Sequence, residues 1–144
     1  MKSRREKLAV VRRYAGQKES EAAGQVSLAV KALHQAQTLL RDLQEYRDNY
    51  MGATSNRQHW DSTHWADYND FLGRLAAAIA AQEEIISHHQ NSLDVLRRSW
   101  QETHARTQSL DHLDQRFGNE ERLTADRITQ KEADARALMK PISS

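Results

Sequence analysis

The sequence contains no cysteine among its 144 residues, which excludes disulfides, thiolate nucleophiles and cysteine-based metal sites. Proline is nearly absent as well, because its single occurrence is Pro141, close to the last residue. Nothing before that position therefore prevents helix through a missing amide hydrogen. Hydrophobic residues make up only 38% of the chain, less than is usual for a globular domain. A net charge of +1 argues against disorder, and we expect a narrow buried stripe.

Long apolar runs are also missing. The longest unbroken run covers residues 75–81, far short of a membrane span. Near the start, residues 8–11 are apolar but Arg12 follows at once, so this stretch is too short for a signal peptide. A pI near 8.1 is too mild to indicate nucleic-acid binding. These features predict a cytoplasmic protein that neither inserts into a membrane nor binds nucleic acid.

Two segments carry a regular heptad pattern. In the first, apolar residues recur in steps of three and four from Val26 to Tyr50, and in the second a 3.5-residue period runs from Tyr68 to Phe117. A period held for that length is typical of a coiled-coil seam, because an ordinary amphipathic helix drifts out of phase. The sequence therefore predicts an all-α fold with two long helices.

Residues 52–63 form the one convincing linker, since they are polar, contain turn formers and lack a heptad phase. We expect residues 1–144 to form a single antiparallel coiled-coil hairpin, because a short linker makes the two helices neighbours. Helix one is predicted at about 3–51 and helix two at about 64–139, with a break near Gly118 left open. Pairing the seams places Gln82 opposite Leu33 and Ala36 opposite Ile79. Helix two then overhangs from about residue 115.

Catalytic and metal-binding signals are weak. Histidine pairs that share a helix face need a spacing of three or four residues, whereas His88 and His89 are adjacent and His59 and His64 are five apart. No phosphate-binding glycine loop occurs, and a two-helix hairpin offers no concave pocket. The sequence predicts a non-enzymatic protein with no catalytic residues, metal or cofactor.

Charged and aromatic residues are concentrated in two places. The first thirteen residues hold six Lys or Arg against one Glu, which fits contact with lipid headgroups, nucleic acid or an acidic protein groove, or a solvated helix end. Six of the nine aromatic residues lie within residues 46–71. Two helices do not bury six aromatic rings between them, so this end is predicted to bind a protein; simple packing of the bend is the alternative. The six are Tyr46, Tyr50, Trp60, Trp65, Tyr68 and Phe71.

Several spaced motifs resemble the flagellar type III export protein family FliJ. They are Leu43-x2-Tyr46-x3-Tyr50 before the linker, and after it Asp67-Tyr68-Asn69-Asp70-Phe71-Leu72, Leu75-x2-Ala78-Ile79-x2-Gln82, Ser99-Trp100 and Asp126-Arg127-x2-Gln130-Lys131-x2-Asp134. Each motif is weak alone, but they occur in order over nearly the whole chain.

The resemblance implies a cytoplasmic stalk and adaptor, peripherally associated with the inner membrane at the flagellar base. Its implied partners are the hexameric export ATPase, the export-gate membrane protein FlhA and export chaperones. The implied gate-binding residues are Leu43, Tyr46, Tyr50, Phe71, Leu75, Ala78 and Gln82. The end that binds the ATPase or a chaperone would contain Arg127, Gln130, Lys131 and Asp134.

Two other interpretations stay open. One is the equivalent stalk of a virulence type III secretion system, which has the same design. The other is a generic structural coiled coil. Three of the implied gate-binding residues also carry a second interpretation, because the heptad pattern assigns Leu43, Leu75 and Gln82 to the seam. Phe71, Tyr46 and Ala78 are the residues expected to face outwards.

Overall fold

The computed structural model describes residues 2–53 and 57–139. They form helix α1 (Arg4–Ala53), a single 3-10 turn (Arg57–His59) and helix α2 (Ser62–Met139). The two long helices pack against each other, and the described residues contain no strand. The predicted all-α, two-helix fold is therefore confirmed. Helix α2 continues through Gly118 without a break.

Both helices begin at a side-chain cap. The Glu6 amide donates to the Ser3 hydroxyl at 3.1 Å, and the His64 amide donates to the Asp61 carboxylate at 2.9 Å. Each cap satisfies one of the amides that the first turn of a helix leaves without an intrahelical partner. The hydrogen bond that Asp61 accepts from the His64 amide also lowers the pKa of Asp61 below its ordinary value, because it stabilises the carboxylate.

The chain divides into two compact units, which we call the bend unit (Ala22–Trp100) and the end unit (Met1–Glu21 with Gln101–Ser144). In the bend unit, small residues of α1 lie in the same seam as large residues of α2. Ala22 and Ala36 are buried on one side, and Tyr68, Leu75, Ile79, Ile86 and Leu93 are buried on the other. Such alternation of small and large side chains fills a two-helix seam evenly.

Gln82 is the buried polar residue of this seam, with 6% of its surface exposed. Its side-chain amide donates to the main-chain carbonyl of Ala36 at 2.9 Å. Seam pairing predicts Leu33, three residues earlier, opposite Gln82. The hydrogen bond is compatible with that pairing, since a buried amide must find an acceptor and the Ala36 carbonyl lies within reach of the long glutamine side chain.

In the end unit, Leu8 and Ala15 of α1 are buried. Contacts to α2 continue further than the predicted residue 115, because Arg4 lies 4.0 Å from the centre of the Phe117 ring and pairs with Glu120 at 2.6 Å. Residues 119–139 of α2 are all exposed. The overhang exists, but it starts several residues later than predicted, since long arginine side chains extend the coverage by α1.

No helix within the described residues is both long enough and apolar enough to cross a membrane.

Candidate partner-binding surface

An aromatic row joins the two helices of the bend unit. The Tyr50 ring lies 4.4 Å from Phe71 and stacks on Tyr68 at 5.6 Å. Tyr46 meets Phe71 edge-on at 5.9 Å. Offset and edge-on contacts of this kind are the favourable geometries for aromatic pairs. The row therefore fixes the side chains of two helices at one exposed edge of the seam.

A second aromatic group sits at the start of α2. Trp60 precedes the cap residue Asp61 and packs edge-on against Trp65, four residues after that cap, at 5.2 Å. This is the spacing of a hydrophobic staple, which sets the angle at which the chain enters a helix. Tyr68 completes the group, 5.1 Å from Trp60. These contacts fit packing of the helix start, which is the alternative interpretation of this cluster.

Arg57 ties the 3-10 turn to both helices. Its guanidinium donates to the Tyr68 hydroxyl at 2.6 Å and to the main-chain carbonyl of Met51 at 3.2 Å. The same guanidinium lies 4.7 Å from the centre of the Tyr68 ring. The arginine thus connects the last turn of α1 with the first turns of α2, next to the aromatic row.

The seven residues implied for gate binding fall into three classes of exposure. Tyr46, with 55% of its surface exposed, and Ala78 are exposed. Three are half-buried: Leu43, Tyr50 and Phe71. Leu75 and Gln82 are only 7% and 6% exposed. A partner that leaves the two helices folded reaches the first five and does not reach the side chains of the last two, which support the surface from beneath.

Two further residues extend the exposed part of this surface. Leu39 lies seven residues before Tyr46, and Ile85 lies seven after Ala78, which is itself seven after Phe71. Residues seven apart share one stripe of a coiled-coil helix, and the Tyr46–Phe71 contact shows that the two stripes flank the same side of the seam. We call these five residues the apolar flank. Leu39 and Ile85 are 49% and 44% exposed. The sequence signal was their heptad position next to the seam.

The residues implied for the other end lie on the overhang. Arg127, Gln130, Lys131 and Asp134 are all exposed. The Gln130 amide donates to Asp134 at 3.0 Å, one helical turn away. They share the overhang with the exposed apolar residues Leu123 and Ile128. The four therefore form a solvent-facing segment with both charged and apolar groups.

Basic residues at the start of α1 form ion pairs with α2, which the sequence analysis did not predict. Arg5 donates to Asp114 at 3.0 Å, and Arg12 lies 2.8 Å from Asp111 and 3.3 Å from Asp114. The hydrogen bond from Arg5 lowers the pKa of Asp114 and raises that of Arg5. Three of the six early cations thus pair with acidic residues of α2 in the end unit. Only the fold brings these distant residues together.

One histidine also pairs across the end unit. His104 Nδ1 lies 2.6 Å from the Glu19 carboxylate. The hydrogen bond from His104, followed by one from Thr107, lowers the pKa of Glu19. Within the ranges that the structure describes, no three His, Asp or Glu side chains come together to hold a metal ion.

The chain was compared with known protein families. The family described as "Flagellar FliJ protein" matches residues 3–144, which is nearly the whole chain. No curated protein matches at a significant level.

Proposed function

This chain belongs to the FliJ family of flagellar export-related proteins, and from that premise we propose that it is a stalk and adaptor of the flagellar type III export apparatus. The family is a structural export component and is not known as an enzyme. In this proposal the chain works at the flagellar base, where it links the cytoplasmic export ATPase to the export-gate protein FlhA. Export chaperones are its further proposed partners.

The observation that carries the proposal is the exposed aromatic and apolar surface of the bend unit. Tyr46 and Phe71 form an edge-on pair, and Ala78 continues the stripe with a small side chain. An aromatic anchor next to a smooth surface is typical of protein-docking sites, where a few buried rings supply most of the binding energy. We assign gate binding to Tyr46, Phe71 and Ala78, with half-buried Leu43 and Tyr50 at the edge.

The overhang supports the second half of the proposal. Its residues are exposed in a long continuous helix, and an exposed helix with apolar side chains is the kind of segment that a partner groove receives. We assign contact with the ATPase or a chaperone to Arg127, Gln130, Lys131 and Asp134.

The test of gate binding uses the double variant Tyr46→Ala with Phe71→Ala. Because truncation of one anchor residue costs at least ~2 kcal/mol at a well-packed interface, we expect binding to the cytoplasmic region of the gate protein to weaken at least ~30-fold. Motility should fall as well. Helix content should stay close to wild type, and the melting temperature should fall less than in a variant of a buried seam residue, since Tyr46 is exposed and Phe71 is half-buried.

The matched control is Leu75→Ala, which removes a buried seam residue below the same surface. It should lower the melting temperature more than the surface double variant does, because Leu75 is buried. If the double variant loses binding only together with its fold, these rings belong to the core. Unchanged binding with an unchanged fold would place the gate contact elsewhere.

A further inference from the structure

Apolar exposure in the bend unit is uneven between the two sides of the seam. On the side of the apolar flank, Leu28 of α1 is 67% exposed and Val95 of α2 is 63% exposed. Leu28 lies four residues before Ala32, which is seven before Leu39, so it lies in the row next to the stripe of Leu39 and Tyr46. Val95 lies two heptads after Ala81, in the row next to Ala78.

The opposite side of the seam is mainly polar. There, the positions next to the seam are Gln37 and Gln44 of α1 and Glu83, Gln90 and Arg97 of α2. Val30, at 42% exposed, and the small residues Ala23 and Ala76 are the exceptions. The apolar surface is therefore one-sided, and it runs from Phe71 to Val95. At ~1.5 Å per residue this is roughly 35 Å along α2.

From this pattern we propose that the apolar flank receives one amphipathic helix of its docking partner, and that the contact extends past the aromatic row to Leu28, Ile85 and Val95. The inference rests on the proposed function, because it takes the gate protein as the partner. It adds the form in which the partner binds and a second half of the interface.

The chemistry of the surface identifies a helix as the occupant. The main chain on both sides belongs to long helices, whose amides and carbonyls bond within each helix. No strand edge is therefore presented there for an extended peptide to pair with. Two stripes with seven-residue spacing and small residues such as Ala78 and Ala81 form the holes that side chains of a third helix fill.

Charge on this side is low and balanced, which defines the partner's chemistry further. The charged residues bordering the flank include Asp42 and Arg74, and Arg74 is paired with Asp70 at 2.7 Å. A strongly charged segment would gain little here. The occupant is a helix with a Leu- or Ile-like stripe at spacings of three and four residues, continuous with the contact at Tyr46 and Phe71.

The experiment measures binding of the cytoplasmic region of the gate protein to four versions of the full chain. They are wild type, Leu28→Gln with Ile85→Gln, Tyr46→Ala with Phe71→Ala, and the control Val30→Gln. Val30 serves as the control because it lies only two residues from Leu28 but on the opposite side of the seam, since two residues turn a helix by about 200°. In the wild type, the partner buries the apolar side chains of Leu28 and Ile85 on binding. The Leu28/Ile85 variant lacks this gain, so we expect it to bind at least ~5-fold more weakly. Val30→Gln should bind like wild type.

A second measurement tests the helical form. A synthetic peptide of the segment of the gate protein that binds the chain, titrated into the wild-type chain, should increase the helical circular dichroism signal beyond the sum of the two components. No increase on saturated binding would overturn the inference.

The remaining outcomes separate the two proposals. Loss of binding by Tyr46→Ala with Phe71→Ala, together with unchanged binding by Leu28→Gln with Ile85→Gln, keeps gate binding and overturns the extended contact. Absence of binding by wild type overturns both. If sedimentation shows a wild-type dimer that Leu28→Gln with Ile85→Gln dissociates while gate binding is unchanged, a second copy of the chain covers this surface and the inference is wrong.

Discussion

The side-chain amide of Gln82 donates to the main-chain carbonyl of Ala36 across the seam of the bend unit, at 2.9 Å. Ala36 lies within α1, so its carbonyl also accepts the amide of the next turn. Loss of the glutamine would therefore leave no buried acceptor without a partner. This separates the role of Gln82 in the seam from a role in binding, and it gives the first prediction.

The free energy of unfolding of Gln82→Leu should lie within ~1 kcal/mol of the wild-type value, because a similar volume is kept and no partner is left unsatisfied. Gln82→Ala should lose ~1–3 kcal/mol, because it leaves space in the seam. Thermal melting followed by circular dichroism measures both. Gate binding should be the same for Gln82→Leu and wild type. Weaker binding by a fully folded Gln82→Leu would show that the partner touches this side chain.

The seam is the part of the fold that the sequence predicts best. Heptad spacing alone identified Ala36, Leu75 and Ile79 as core positions, because a coiled coil buries the same stripe over its whole length. The predicted start of the overhang, about residue 115, was several residues too early, because a heptad pattern does not indicate how far arginine side chains extend along the neighbouring helix. Pairs such as Arg5 with Asp114 depend on positions 109 residues apart, and no local pattern encodes them.

The candidate site shows the same division. Positions next to the seam predict that Tyr46 and Phe71 face outwards. Tyr46 is exposed, whereas Phe71 is half-buried against Tyr50. Whether they bind the gate stays a prediction. Trp60 and Trp65 were counted towards a binding cluster, although their spacing around the cap at Asp61 matches a hydrophobic staple. That local signal was present in the sequence.

The ion pairs of the end unit predict an acid-sensitive start of α1. Arg5 lowers the pKa of Asp114 from 3.8, and His104 lowers that of Glu19 from 4.5. A carboxylate with a depressed pKa contributes stability above its unfolded pKa, and this is lost as pH falls through the folded value. Hydrogen exchange in residues 4–19 should therefore accelerate, after correction for its intrinsic pH dependence, when pH falls from neutral to below about 4.

Asp114→Asn provides the control for this acid sensitivity. At neutral pH the backbone amides near Arg5 and Arg12 should already exchange faster in this variant than in wild type. Their exchange should also accelerate less when the pH is lowered. High salt should have a similar effect on wild type, because exposed ion pairs are screened. Equal acid responses of the variant and wild type would show that Asp114 does not hold this segment.

Gly118 and Gly73 make a matched pair for a stability prediction. Both lie inside α2, where Ala is favoured over Gly by up to ~1 kcal/mol. A Cβ at Gly73 would meet nothing within 4 Å, whereas at Gly118 it would lie 3.0 Å from the Arg5 guanidinium. Gly73→Ala should raise the melting temperature, and Gly118→Ala should raise it less because Arg5 must shift. A larger gain at Gly118 would contradict the contact with Arg5.

The start of α2 gives the last prediction, which separates packing from binding at the bend. The Asp61 carboxylate accepts the His64 amide, and Trp60 packs on Trp65 across that cap. Asp61→Ala should cost ~0.5–2 kcal/mol, as loss of a helix cap does. Trp65→Ala should also destabilise the fold, but less than removal of a fully buried ring, because 39% of Trp65 is exposed.

Neither change touches the apolar flank, so gate binding should persist in both variants below their melting temperatures. The informative comparison is Trp65→Ala with the double variant Tyr46→Ala and Phe71→Ala, measured for melting and for gate binding on the same samples. Both variants should lower the melting temperature, since Trp65 and Phe71 both pack against other rings, but Trp65→Ala should keep binding and the double variant should lose it. If Trp65→Ala instead loses binding while its melting temperature is unchanged, the tryptophan is a partner contact, and the docking surface includes the start of α2.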